Sequence, residues 1–175
     1  DLDIRQMQIN LVQGSDRLLD AMSKKASKKS EDFLTGLGVN VWKNIHVTNY
    51  DGHTVTTNTS ESFKAATVIW AAGVQGDAID GLQAECIVER ANRIVVDEFS
   101  KVKGYENVFA IGDVASMSSE KYPKGHPMMA QPALQQGKLL SKNIVALLRN
   151  KPLKAFQYND KGSMATIGRN KAVVD

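Results

Sequence analysis

"ENVFAIGDVA", residues 106–115, is the stretch on which the fold turns. Its apolar run from Val108 to Ile111 stops at Gly112 and Asp113, then resumes with small residues. Such a run predicts a strand buried on both faces, as in a parallel sheet covered by helices. In open sheets of that kind, ligands bind beyond the carboxyl ends of the strands. Gly112 would let a ligand approach the main chain. Asp113 would either cap a turn or accept a hydrogen bond from a sugar hydroxyl.

Two further strand ends carry suggestive residues. "TVIWAAG", residues 67–73, predicts a second buried strand from Thr67 to Ala71, with Trp70 in the core. Ala72 and Gly73 then either serve helix packing or leave room for a flat ring or a dinucleotide. "MQINLV", residues 7–12, alternates apolar and polar residues and predicts a strand ending at Gln13. An acidic residue at such a place would accept from both hydroxyls of a ribose, whereas the neutral Gln13 can also donate.

Helical spacing of Leu18, Leu19, Met22, Ala26, Phe33, Leu34 and Leu37 predicts a helix over 16–37. Residues 39–58 predict two strands around Asp51-Gly52, a tight-turn dipeptide. "RIVV", residues 93–96, predicts another strand. Ala133, Gly137, Leu140, Ile144 and Leu147 predict an amphipathic helix over 133–148, with Pro132 in its first turn. Gln136 falls on its apolar face and needs a partner, either a buried backbone group or a ligand; Gln135 lies about 100° around the helix. The last residues predict two short strands turning at Gly168-Arg169-Asn170. The expected architecture is α/β: two partial Rossmann-like units with parallel sheet and an antiparallel hairpin, residues 1–76 and 77–175.

Composition narrows the function. A chain of 175 residues, 42% hydrophobic and 23% charged, is globular rather than disordered or collagen-like. The single cysteine, Cys86, excludes an internal disulfide and dithiol chemistry, and a buried inert thiol is expected. His46, His53 and His126 lack metal-ligand spacing, and no Walker A, GxSxG or EF-hand motif occurs. The net charge is +3, and the basic run Lys24, Lys25, Lys28 and Lys29 sits beside Glu31 and Asp32, which reads as a solvated helix face and not a nucleic-acid surface. No run of about 18 apolar residues and no signal-peptide pattern occurs, so a cytosolic, soluble chain is expected. The start at Asp1, without methionine and leading into a strand, reads as a cut.

"TVIWAAGVQG", "ENVFAIGDVA", "PMMAQPALQQGK" and "FQYNDKGSMATIGRNKAVVD" together resemble the type II NADH dehydrogenases, single-chain FAD enzymes that reduce quinone without pumping protons. The resemblance runs over nearly the whole chain. It implies that Asp113 holds the ribitol of FAD, flanked by Gly112 and Val114. It implies that Ala133 and Leu134 present the helix N-terminus to the pyrimidine end of the flavin. Gln135 and Gln136 match the quinone-side glutamines, and Lys161 matches a position near the quinone. On the nicotinamide side, Ala72 and Gly73 resemble the loop along NADH, and Gln13 stands where many members carry glutamate. Residues 1–76 would then be the later part of the NADH-binding domain, and 77–175 the later part of the FAD-binding domain.

Both glycine fingerprints of the family, for FAD and for NADH, are absent, as is its C-terminal membrane-binding segment. The chain is therefore expected to be an internal piece of an enzyme peripheral to the cytoplasmic side of a membrane. As a piece it is expected to retain neither FAD nor NADH, and to cover its unpaired strand edges with a second copy in a homodimer. A soluble reductase with another electron acceptor, or a non-catalytic binding module of the same fold, remain alternatives.

Overall fold

Ser23 sets the start of the first helix. Its hydroxyl accepts the Ala26 N–H at 3.2 Å, and helix α1 runs from there over Lys24–Gly36. The helix predicted from Asp16 is therefore shorter at its front. Leu19 adopts φ +49° and its carbonyl accepts the Met22 N–H at 2.8 Å, so the chain reverses instead of continuing the helix. The computed structural model describes residues 7–88 and 91–175. These fall into two compact units, one formed by residues 1–70 with 162–175 and the other by 71–161.

In the first unit, strand β1 (Ile9–Gln13) pairs in parallel with β2 (Val39–Lys43), with α1 between them in sequence. This is the crossover arrangement that parallel pairing requires. Strands β3 (Val47–Tyr50), β4 (Thr54–Thr57) and β5 (Ser62–Lys64) form an antiparallel meander. At Asp51-Gly52 only Gly52 takes a positive φ, +96°. The Asp51 carboxylate accepts the N–H groups of His53 and Thr54 at 2.8 and 2.7 Å, so a side chain closes this tight turn.

The second unit holds β6 (Ile87–Val88), β7 (Arg93–Val96) and β8 (Ala115–Met117), with β7 antiparallel to β6 and parallel to β8. Its core gathers Cys86, Ile94, Val96, Val102, Ala110, Ala115 and Met117. Cys86 is fully buried, as expected of an inert thiol. Helix α2 covers Ala130–Leu148, three residues longer at its front than its apolar spacing predicts.

Two expectations are corrected. Residues 67–71 form no strand: they find no pairing partner among the described residues, and Ile69 and Trp70 are 86% and 70% exposed. An apolar run becomes a buried strand only where neighbouring strands supply its hydrogen bonds. Residues 108–111 are likewise not a central strand. They run extended against residues 100–102, with the Val102 N–H donating to Val108 at 2.8 Å and the Ala110 N–H to Ser100 at 3.0 Å. The parallel partner of β7 is instead β8, which begins after Asp113. The compact units meet at residues 70 and 71, and the C-terminal hairpin belongs with the first unit. That hairpin, β9 (Met164–Ile167) and β10 (Lys171–Val174), places Ile167 and Val173 against Met22 and the α1 residue Ala26.

Candidate functional site

Gly112 adopts φ +72° and opens a single 3₁₀ turn, Gly112–Val114, immediately before β8. A side chain at Gly112 would meet the Ala133 methyl at 3.4 Å, so the turn lies close against the first turns of α2. The contact is fixed by Gln136, whose Oε1 accepts the Gly112 N–H at 2.7 Å and which is only 2% exposed. The buried amide thus satisfies a backbone group, one of the two partners anticipated for it.

Asp113, between these residues, is exposed and has no hydrogen-bond partner among the described residues. It is a free carboxylate carried on a turn whose conformation is held on both sides. The first turn of α2 has no side-chain cap, and Pro132 lacks an N–H, leaving the N–H groups of Ala130 and Gln131 outside the helix ladder. Gly112, Asp113, Val114, Ala133 and Gln136 are therefore brought together. Leu134, one residue further, is 73% exposed.

Gln135 points elsewhere. Its amide grips the backbone of Asn159 in both directions, Nε2 to the carbonyl at 2.9 Å and the N–H to Oε1 at 3.0 Å. Asn143, two turns on and 4% exposed, grips Lys154 in the same way at 2.9 and 3.0 Å. Between the two clamps lies a groove of about 310 Å³ lined by Lys138, Leu139, Lys142 and residues 154–157. Tyr122, His126, Phe156 and Tyr158 stack their rings 5.1–5.7 Å apart beside the same segment. Burial holds the His126 imidazole below its ordinary value; the Met117 backbone opposes this and the Arg93 charge adds to it.

Lys161 is exposed at the end of the second unit. Ala72 and Gly73 are exposed, with Gly73 at φ +124° and open space around it. Gln13 is in the first unit, where its Nε2 donates to the Ser15 hydroxyl at 2.6 Å. Close by, Gly14 lies under the His46 ring, which a side chain at Gly14 would strike at 2.6 Å. Sequence reasoning passed over Arg93 and Asn143. A charged residue opening the otherwise apolar "RIVV" was the available signal for the first, while Asn143 looked like one more polar helix residue.

A parallel strand pair joined by a helix, a second parallel pair in the other unit, and a free carboxylate on a glycine-held turn beside a helix start define a Rossmann-like α/β fold. The model of the pyridine nucleotide-disulphide oxidoreductase family matches residues 2–137, and the chain belongs to that family. It is 35% identical over 98% of its length to the type II NADH:quinone oxidoreductase of Haemophilus influenzae, and 29% identical over 95% to that of Staphylococcus saprophyticus. It spans 38% and 42% of those two relatives. Among solved structures, NDH2 from Plasmodium falciparum in complex with NADH superposes with a TM-score of 0.83 at 19% identity, over 97% of this chain and 50% of that one. Among the described residues no cluster could hold a metal ion, and no helix is long and apolar enough to cross a membrane.

Proposed function

We propose that this chain contributes nicotinamide-side and flavin-side elements to an FAD-dependent NADH:quinone oxidoreductase that moves electrons without pumping protons. The observation that carries the reading is the unpaired Asp113 carboxylate on the Gly112–Val114 turn, held against α2 through Gln136. Type II NADH:quinone oxidoreductases among the relatives support the same reading. FAD, when bound, accepts hydride from NADH and passes the electrons on.

The chain's own residues bind and orient. Asp113 accepts from a ribitol hydroxyl, and Gly112 and Val114 keep the main chain close to the cofactor. The free N–H groups of Ala130 and Gln131 give α2 its positive end toward the flavin ring, favouring negative charge there, and Ala133 and Leu134 flank the ring one turn further in. Gln13, Ala72 and Gly73 serve the nicotinamide nucleotide, while Gln135, Gln136 and Lys161 lie on the quinone side. The intact enzyme works at the cytoplasmic face of a membrane as a peripheral protein, and a second copy covers the exposed apolar side chains of Ile69 and Trp70.

In the intact protein, Asp113→Ala should weaken FAD retention by about 1.5–3 kcal/mol, the worth of a hydrogen bond to a charged group. Flavin absorbance remaining after dialysis reads this, and an unchanged content would remove the assigned role. A second reading, a reductase with a different acceptor, is favoured by one observation: the amides of Gln135 and Gln136 are engaged with backbone groups. Turnover with ferricyanide or ferredoxin but not with quinone would select it.

A further inference from the structure

Arg93 opens β7, yet only 6% of it is exposed. Its Nη2 donates to two backbone carbonyls, that of Ala115 and that of His126, the latter at 3.0 Å. Ala115 directly follows the turn that carries Asp113, and His126 lies in the loop leading into α2. The loop closes tightly over the guanidinium: a side chain built on Gly125, at φ +91°, would lie 3.1 Å from Nη1 and 2.9 Å from the Ser116 hydroxyl. Nε has no partner.

A buried cation is costly, and a strand position in an apolar core would be filled more favourably by Met or Leu. Arg93 has no hydrogen-bonded carboxylate among the described residues to offset that cost. Burial pushes its guanidinium below the ordinary value, and the one charge that pulls it back is Asp113. Its Nη2 alone reaches two chain segments that no β-ladder joins, the exit of the Asp113 turn and the approach to α2.

We propose that Arg93 is a positioning residue for the flavin-side site, fixing the Asp113 turn relative to the loop that leads into α2 so that the free carboxylate and the helix start meet one ligand. This rests on the flavin reading given above. Lysine in its place keeps the charge but carries it on a rotatable ammonium in place of the planar guanidinium that aims Nη2 at both carbonyls.

The test titrates FAD into the flavin-depleted intact protein, following flavin fluorescence, for the wild type, R93Q, R93K, D113A and the double variant R93Q/D113A. The expected result is a dissociation constant raised tenfold or more in R93Q and partly restored in R93K. The double variant should be no weaker than about the worse single variant, because Arg93 acts through the turn that bears Asp113 and coupled sites are not additive. Wild-type affinity in R93Q, or effects of R93Q and D113A that simply multiply, would overturn the proposal while D113A alone still supports the flavin reading. Wild-type affinity in D113A would overturn that reading and the proposal with it. Should R93Q fail to fold, R93K decides: affinity weakened about threefold or more, with an unchanged unfolding midpoint of the flavin-free protein, supports the role, and wild-type affinity overturns it.

Discussion

Gln136 Oε1 accepts the Gly112 N–H at 2.7 Å across 24 residues of sequence. This single bond joins the turn that displays Asp113 to the helix whose start faces it, and it is buried on the helix side. Gln136→Leu removes the acceptor and leaves a backbone donor without one, at a cost of about 1–3 kcal/mol. The variant should unfold at lower temperature and lose flavin together. If quinone reduction falls while both of these stay as in the wild type, Gln136 acts on the acceptor and not on the turn.

Gln13 ends β1 as a neutral amide, with its Nε2 on the Ser15 hydroxyl. A carboxylate there would accept from a ribose and repel a 2′-phosphate, whereas the amide can donate to one. Gln13→Glu should therefore shift preference from NADPH toward NADH by about 1–2 kcal/mol. Steady-state kcat/KM with each nucleotide measures the ratio, and an unmoved ratio would take Gln13 away from the ribose.

The parts of this architecture that local chemistry decides were legible in the sequence. The apolar spacing of α2 and the turn at Gly168, φ +64°, needed no distant partner. Gly112 and Asp113 also stood out, because a glycine and an acid after an apolar run make a recognisable turn. What failed were strands judged by apolar density. Residues 67–71 and 108–111 are more apolar than "ASM" at 115–117, yet "ASM" is the strand, since β7 offers its edge there. The partners of Gln136, Gln135 and Asn143 lie 24, 24 and 11 residues away, beyond any local pattern. Arg93 was hidden for the same reason: nothing near it in sequence tells which carbonyls it reaches.

His126 gives the second unit a pH dependence. Its imidazole is 4% exposed and held below the ordinary value of about 6.5, chiefly by burial. As pH falls, the unfolded chain therefore takes up this proton before the folded one. The contribution to stability is full above about pH 6.5 and declines as pH drops below it, until the folded imidazole also titrates. His126→Phe keeps a ring beside Phe156 and Tyr158 and removes the proton. Thermal unfolding between pH 7.5 and 5 should show a shallower acid loss in the variant, and parallel slopes would show that another group governs it.

Asn143 and Gln135 make the same two-way grip on the chain that follows α2, but in different surroundings. Asn143 is 4% exposed, and its partners are the N–H and C=O of Lys154. Asn143→Ala would leave those two backbone groups without their part-buried partner, where water replaces the amide less fully, costing about 1–3 kcal/mol. The bonds of Gln135 with Asn159 are exposed, so after Gln135→Ala water replaces the amide, and the loss should stay near the 0.5–1.5 kcal/mol of an ordinary hydrogen bond. Denaturant unfolding should therefore rank Asn143→Ala well below Gln135→Ala in stability. Proteolysis should separate them too: losing the Asn143 grip frees the segment near 154, whereas losing that of Gln135 loosens it only near 159, beside the rings of Tyr122 and Tyr158. Equal destabilisation by the two substitutions would mean that the packing of Phe156 and Tyr158, and not the paired carboxamides, holds this segment to the helix.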